Sequence, residues 1–309
     1  MDFLLIGRSR FAQRRVLPAA AALPFDSITV VSRRDGTHWR TLTGRRPGLV
    51  YISLTNGEHA EAVAWALRSG HHVVVDKPAF PTLTEARSAV ALARRSSLVL
   101  AEATCYSYHP MFAWAGALDA TFTKAVAVFT PPVPATDFRH DRSRGGGALL
   151  DTGPYLASLG RVLWDAEPDR LQVIVGDRAP DGLELAYSVL AGYPGDRTLV
   201  GQFGFTTGYR NALHLLGPGV GVDFERPFSA PPDLSPTVRV DAGGTSESHR
   251  LPPADSMLLF LDRVLAAVRS GSREFDEPLL SDARTRDQLA RAADLDLATR
   301  TVQPGGTGG

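Results

Sequence analysis

One cysteine, Cys105, stands among 309 residues. A lone thiol excludes an intramolecular disulfide and any paired-cysteine redox or zinc motif, and it suits a reducing cytoplasm, the expected location. Long hydrophobic runs are lacking as well. Pro18, Pro24 and scattered charges break every stretch short of the roughly eighteen residues that span a bilayer, so no membrane partner is expected. The opening apolar stretch precedes Arg8, Arg10, Arg14 and Arg15, the reverse of the order in a secretory leader. Charge of one sign is not in excess: 33 basic residues balance 33 acidic ones. No global field therefore favours nucleic acid or an anionic surface, and an anionic ligand must be attracted locally. The eight histidines are scattered, and the neighbours His71 and His72 face opposite sides if they lie on a strand, so no metal site is expected. Neither a GxSxG elbow nor a GxxxxGK[ST] phosphate loop occurs.

What is present is the composition of a soluble globular protein, 44% hydrophobic and 21% charged, with length for two ordinary domains. Up to about residue 102, the apolar runs DFLLI, SITVV, LVYIS, HVVVD and LVLAE read as buried parallel strands. EHAEAVAWALRSG and LTEARSAVALARRS have helical period, and the alternation predicts an α/β fold with a doubly wound parallel sheet. Its ligand crevice belongs at the carboxyl ends of the strands. Beyond about residue 120, KAVAVFT, RLQVIVG, LELAYSVLAG, RTLVGQFGF, RNALHLLG and VGVDFER predict a mostly antiparallel sheet, buried on one face. RGGGALLDTGPYLASLGRVLW, DSMLLFLDRVLAAVRSG and SDARTRDQLARAADL predict helices. The division expected is residues 1–103 and 104–309, with the C-terminal helices candidates to pack back on the first domain and 302–309 a frayed tail.

The turn LLIGRSRFAQRRVLPA follows the first strand. A dinucleotide-binding turn carries three glycines, which tighten the turn, admit the pyrophosphate and let helix pack on strand. Gly7 holds the first place; Ser9 and Ala12 hold the others. Gly7, Ser9, Arg10 and Phe11 would approach the phosphates through backbone amides, with the Ser9 hydroxyl as a further donor, less tightly than a turn with all three glycines. After the second strand, Ser32, Arg33 and Arg34 replace the acidic residue that favours NAD and suit a 2'-phosphate, so NADP is expected over NAD; a solvated loop is the competing reading. The strand HHVVVDKPAF delivers Asp76 and Lys77 to the crevice, and GGGALLDTGPY sets Asp151 and Tyr155 four residues apart on one helix face. Lys77 would stabilise a Tyr155 phenolate. Arg139, His140, Arg142 and Arg144 form a basic cluster suited to a sugar-nucleotide diphosphate or to solvent.

Together these motifs resemble the Gfo/Idh/MocA oxidoreductases over nearly the whole chain. The resemblance implies an N-terminal Rossmann domain and a C-terminal α/β domain whose open antiparallel sheet pairs copies into a homodimer or homotetramer. It implies hydride transfer between a nicotinamide cofactor and a sugar, cyclitol or related substrate. Asp76-Lys77-Pro78 stands where the family has Glu-Lys-Pro, and Asp151-Thr152-Gly153-Pro154-Tyr155 stands at its Asp-x-Gly-x-His/Tyr motif. By the same resemblance, Thr55, Asn56 and His59 in LTNGEH, with Asp76 and Lys77, would meet cofactor. Tyr106 and His109 in ATCYSYHPMF, with Arg139 and Tyr155, would meet substrate. FAQRRVLPA and TDFRHDRSRGGGALLDTGPY are similar to the first helix and substrate loop of the family's nucleotide-sugar ketoreductases. The implied reaction is reduction of a sugar ketone, with Tyr155 the proton donor, Lys77 its helper and Asp151 the positioning carboxylate. Only about fifteen residues separate Arg34 from LVYIS, too few for the helix, strand and helix usual there, so one wall of the cofactor site is missing or replaced. That erosion keeps open a lyase, cyclase or binding protein on the same scaffold.

Overall fold

Five short runs of aliphatic residues become the strands β1 (Phe3–Ile6), β2 (Ile28–Val31), β3 (Leu49–Ile52), β4 (His72–Val75) and β5 (Leu100–Glu102) in a computed structural model that describes residues 1–42, 44 and 46–302. All pair in parallel, in the order β2-β1-β3-β4-β5. The helices are α1 (Leu17–Ala21), α2 (His59–Arg68), α3 (Leu83–Arg95), α4 (Pro110–Gly116), α5 (Ala148–Trp164), α6 (Ser256–Ser270) and α7 (Asp276–Val302). A wider helical turn over Ala12–Val16 leads into α1.

Strands β1 and β3 are buried on both faces, and successive side chains alternate between two helical layers. Leu4, Ile6, Val50 and Val73 pack against Ala62 and Val63 of α2 and Val90 of α3. Phe3, Leu5, Leu49 and Tyr51 face the other way, onto Val16 and Ala19 and onto Met257, Phe260, Leu261 and Val264 of α6. Each fully buried aliphatic or aromatic side chain contributes about 1.5–3 kcal/mol, so α6, although late in the chain, is part of the first sheet's core. α7 spans both halves: Leu279 and Ala283 join the first core, Leu289 and Ala293 the second. Ion pairs secure it on both sides, among them Arg286 to Glu102 at 3.1 Å and Arg161 to Asp282 at 2.7 Å. The helix begins at Asp276, before the SDART segment that its period suggested, because Pro278 is tolerated in a first turn. It runs to Val302, so the expected tail loses its first residue, and 303–309 lie outside the described residues.

The second sheet contains β6 (Lys124–Phe129), β7 (Arg170–Val175), β8 (Ala186–Tyr193), β9 (Arg197–Gly204), β10 (Asn211–Gly217), β11 (Val220–Glu225), β12 (Thr237–Ala242) and β13 (Thr245–Arg250). Its order is β13-β12-β11-β10-β6-β9-β8-β7, antiparallel except where β6 meets β9. The sequence reading missed β12 and β13. TSESHR carries no apolar alternation; backbone pairing across the Gly243-Gly244 turn, both residues with positive φ, holds it in place. α5 and α7 cover one face of this sheet. On the other, Ile174, Leu190, Val200 and Leu216 are 59, 48, 49 and 44% exposed.

Between Val31 and Leu49 the described residues form two single helical turns, Arg33–Asp35 and Trp39–Thr41. The shortened wall is rebuilt by one side chain: Trp39 is buried, its ring 5.6 Å from that of Trp65 on α2.

Candidate active site

The carboxyl ends of β1 to β4 open on a cleft of roughly 950 Å³, closed opposite by α5 and the loop that follows β6. Gly7 lies at φ +98°, and a Cβ there would stand 2.0 Å from the Ser53 carbonyl oxygen, so no other residue fits the turn. The Ser9 hydroxyl accepts from the Ala12 amide at 2.9 Å and lies 2.7 Å from Ser53 Oγ. Ser53 Oγ donates to Asp76 Oδ2, and the Tyr51 hydroxyl to Asp76 Oδ1, each at 2.6 Å. Burial raises the Asp76 carboxyl, against the pull of those two donors. The Ser9 hydroxyl is thus engaged inside the protein, in contrast to the phosphate contact its position suggested. Neither Tyr51 nor Ser53 drew attention in the sequence. Their place at the carboxyl end of β3 was the available signal.

At the end of β2, Ser32 caps the following turn by accepting from the Arg34 amide at 3.2 Å. Arg33 pairs with Glu58 at 3.0 Å, and Glu58 also accepts from Thr55 Oγ1 at 2.7 Å. Arg8 pairs with Asp35 at 2.8 Å. Among the described residues Arg34 makes no ion pair, although it lines the same cleft. Asn56 donates to the Gly145 carbonyl at 2.7 Å, joining the two halves across the cleft. His59 does not line the cleft: it is buried, its ring nitrogens 2.9 and 3.2 Å from the Pro78 and Leu54 carbonyls, and burial lowers its pKa. Its role there is to brace the turn carrying Lys77.

Lys77 crosses the cleft to α5. Its Nζ donates to the Asp151 carbonyl at 2.6 Å and to Asp151 Oδ1 at 2.9 Å. Arg139 Nε reaches that same Oδ1 at 2.8 Å, while Asp137 holds the guanidinium from its other side at 3.0 Å. Burial alone would raise the Asp151 carboxyl; the Lys77 and Arg139 charges outweigh it and hold the group at about 2. Arg139 therefore clamps Asp151, which corrects its expected place as an open receptor for a diphosphate. From the rest of that basic cluster, Arg144 lies over the Phe138 ring at 5.7 Å.

Tyr155 sits one helical turn beyond Asp151. Its ring packs against Phe129, Tyr106 and Phe228, and Lys77 Nζ lies 5.0 Å from the ring centre. Burial and the Asp151 charge push the phenol well above its usual value. The Lys77 ammonium lies over the ring face with its hydrogen bonds on Asp151, and the phenol thus keeps its proton at rest. Its hydroxyl has no hydrogen-bond partner among the described residues. Tyr106 lends its ring to the cleft while its hydroxyl contacts Ser158 Oγ at 2.7 Å. His109 lies outside the cleft, where Nδ1 accepts from the Met111 amide at 3.2 Å to cap α4. Among the described residues no three His, Cys, Asp or Glu side chains gather to hold a metal ion, and no helix is long and apolar enough to cross a membrane.

Known proteins share this fold. A family model described as an oxidoreductase family with an NAD-binding Rossmann fold (GFO/IDH/MocA) matches residues 12–104, and the GFO/IDH/MocA C-terminal domain matches residues 120–219. A dTDP-3,4-didehydro-2,6-dideoxy-alpha-D-glucose 3-reductase of Streptomyces violaceoruber is 30% identical over 85% of this chain and 84% of its own length. The chain belongs to the Gfo/Idh/MocA family. Another Gfo/Idh/MocA relative, the enzyme of the same name from Saccharopolyspora spinosa, is 27% identical over 98% of both chains. A 3-ketoreductase from Actinomadura kijaniata, solved with NADP and TDP-benzene, superposes with a TM-score of 0.85 at 27% identity, covering 95% of this chain and 98% of its own. The Gfo/Idh/MocA fold of a parallel sheet joined to a mostly antiparallel one is thus preserved here despite the two missing glycines.

Proposed function

We propose that this protein uses NADPH to reduce a ketone on a nucleotide-linked sugar. The observation that carries the reading is the cluster at the cleft's centre: a lysine held by a buried carboxylate beside a protonated tyrosine whose hydroxyl has no partner among the described residues. The nucleotide-sugar 3-reductases and the NADP-bound 3-ketoreductase among its relatives support the substrate class.

The residues fit such a cofactor. The Gly7 turn leads into a helix start whose amides suit a pyrophosphate, and Arg34, which stands beside Ser32 and makes no ion pair among the described residues, suits a 2'-phosphate. A bound nicotinamide supplies the hydride. Lys77, with two of its three protons on Asp151, directs the third at the substrate oxygen. Tyr155 donates its proton as that oxygen gains charge, and the ammonium over its ring face stabilises the phenolate that results. Asp151 and Arg139 hold Lys77 in place. Tyr106, Phe129 and Phe228 form an apolar wall that restricts water.

We also place the cofactor-binding unit at residues 1–103, completed by α6, with residues 104–309 forming the substrate unit. The exposed apolar side chains of the second sheet suit pairing into a homodimer or homotetramer, which light scattering on the purified protein will read. The lone cysteine suits a cytoplasmic setting. The functional test is titration of the protein with NADPH and NADH, followed by turnover of dTDP-linked keto-sugars. Preferential NADPH binding and NADPH oxidation are expected; binding of neither nucleotide overturns the redox reading in favour of a lyase, cyclase or binding role for the cleft.

A further inference from the structure

Ser9 occupies the place where a dinucleotide-binding turn keeps its second glycine, and a side chain there stands between backbone and pyrophosphate. The hydrogen bonds around it can be assigned by counting protons. As a carboxylate, Asp76 only accepts, so Tyr51 and Ser53 donate to its two oxygens. Ser53 then has no second proton, and the contact between the two serines is donated by Ser9. Ser9 Oγ accepts in turn from the Ala12 amide. Every hydroxyl proton in this chain of groups is engaged, and none is directed at a ligand.

We infer that Ser9 is a positioning residue that ties the cofactor turn through Ser53 to Asp76, next to Lys77, and that its hydroxyl does not contact the cofactor's phosphates. The inference rests on the nicotinamide-dinucleotide reading above. The tie spans the carboxyl ends of three adjacent strands: Ser9 follows β1, Ser53 follows β3 and Asp76 follows β4. It explains how the turn tolerates a side chain. The oxygen is drawn down toward the sheet, and the backbone of the helix start is left to face the ligand. It also joins the binding of the cofactor to the segment that carries the catalytic lysine.

The test is a double-mutant cycle of Ser9→Ala and Ser53→Ala, with Ser9→Gly and Ser9→Thr alongside. It is read by NADPH titration calorimetry, by KM for NADPH against kcat, and by the thermal midpoint without nucleotide. Each alanine variant is expected to bind NADPH about threefold to tenfold more weakly, the loss of one ordinary hydrogen bond. The double variant should be no weaker than the weaker single one, because the chain is cut only once. KM should rise more than kcat falls, Ser9→Gly should lose affinity, and Ser9→Thr should recover it. The inference is overturned if Ser9→Ala and Ser9→Gly bind as tightly as the native protein, if the two losses add, or if Ser53→Ala keeps full affinity while Ser9→Ala loses it. The last result would place the Ser9 hydroxyl on a phosphate. If the native protein binds neither nucleotide, the functional reading alone fails. The tie is then decided by the thermal midpoints, where additive losses reject it and non-additive losses uphold it.

Discussion

The two ends of the cleft hold their charges differently. At one end Lys77, Arg139 and Asp151 share a single carboxylate oxygen inside the protein, with each cation fixed by more than one contact. At the other, Arg8 in the turn after β1 and Arg33 and Arg34 in the turn after β2 are exposed, and among the described residues the first two are paired with acids and Arg34 is not. Surface pairs of the second kind are worth little, whereas removing a member of a buried cluster strands the charges that remain. The chemistry end is therefore intolerant of change. The nucleotide end is the more tolerant of the two.

That contrast breaks most readily at the lysine. Lys77→Ala should lower turnover of a keto-sugar about a thousandfold while NADPH still binds, and a loss below tenfold would remove Lys77 from the mechanism. Tyr155→Phe should cost about a hundredfold in kcat, measured at saturating NADPH. Asp151 ties the same end to stability. Because its folded value of about 2 lies below the ordinary 3.9 of an unfolded chain, its contribution is complete above about pH 4 and is lost as the pH falls toward 2. That contribution is about 2 kcal/mol, and denaturant titrations of the native protein and Asp151→Asn should converge across that interval. At the nucleotide end, Arg34→Ala should weaken NADPH about tenfold with little effect on NADH, the value of a charge-assisted phosphate contact. Arg33→Ala, already neutralised by Glu58, should change NADPH affinity by about twofold or less, and the reverse ranking would show that Arg33 reads the phosphate.

The same contrast governs what could be read from sequence. Lys77, Asp151 and Tyr155 sit in contiguous motifs on regular elements, so their convergence followed from strand ends and helix periodicity. The eleven strand patterns of the two sheets rest on apolar period and formed where expected, as β1 to β11; β12 and β13 were not legible, because β13 depends on backbone pairing, which leaves no apolar trace. His59 and His109 were misplaced because a histidine beside a functional motif and one that satisfies a carbonyl or caps a helix look alike in one dimension. Arg139 looked free because its partners, Asp137 and Asp151, include one that only folding brings near. The Ser9 hydroxyl reads from sequence as a phosphate donor because the group it contacts, Ser53, lies 44 residues away. Hydrogen bonds between distant segments carry no local pattern.

The placement of α6 on the first sheet has a consequence for the order of synthesis. The last strand of that sheet ends at Glu102, yet the helix that covers one of its faces starts at Ser256. At a ribosome's pace of about 5–20 residues per second, the sheet waits on the order of ten seconds with Phe3, Leu5 and Tyr51 uncovered on that side. The cofactor half thus cannot mature as an early, self-sufficient unit, and its completion is timed by the emergence of α6.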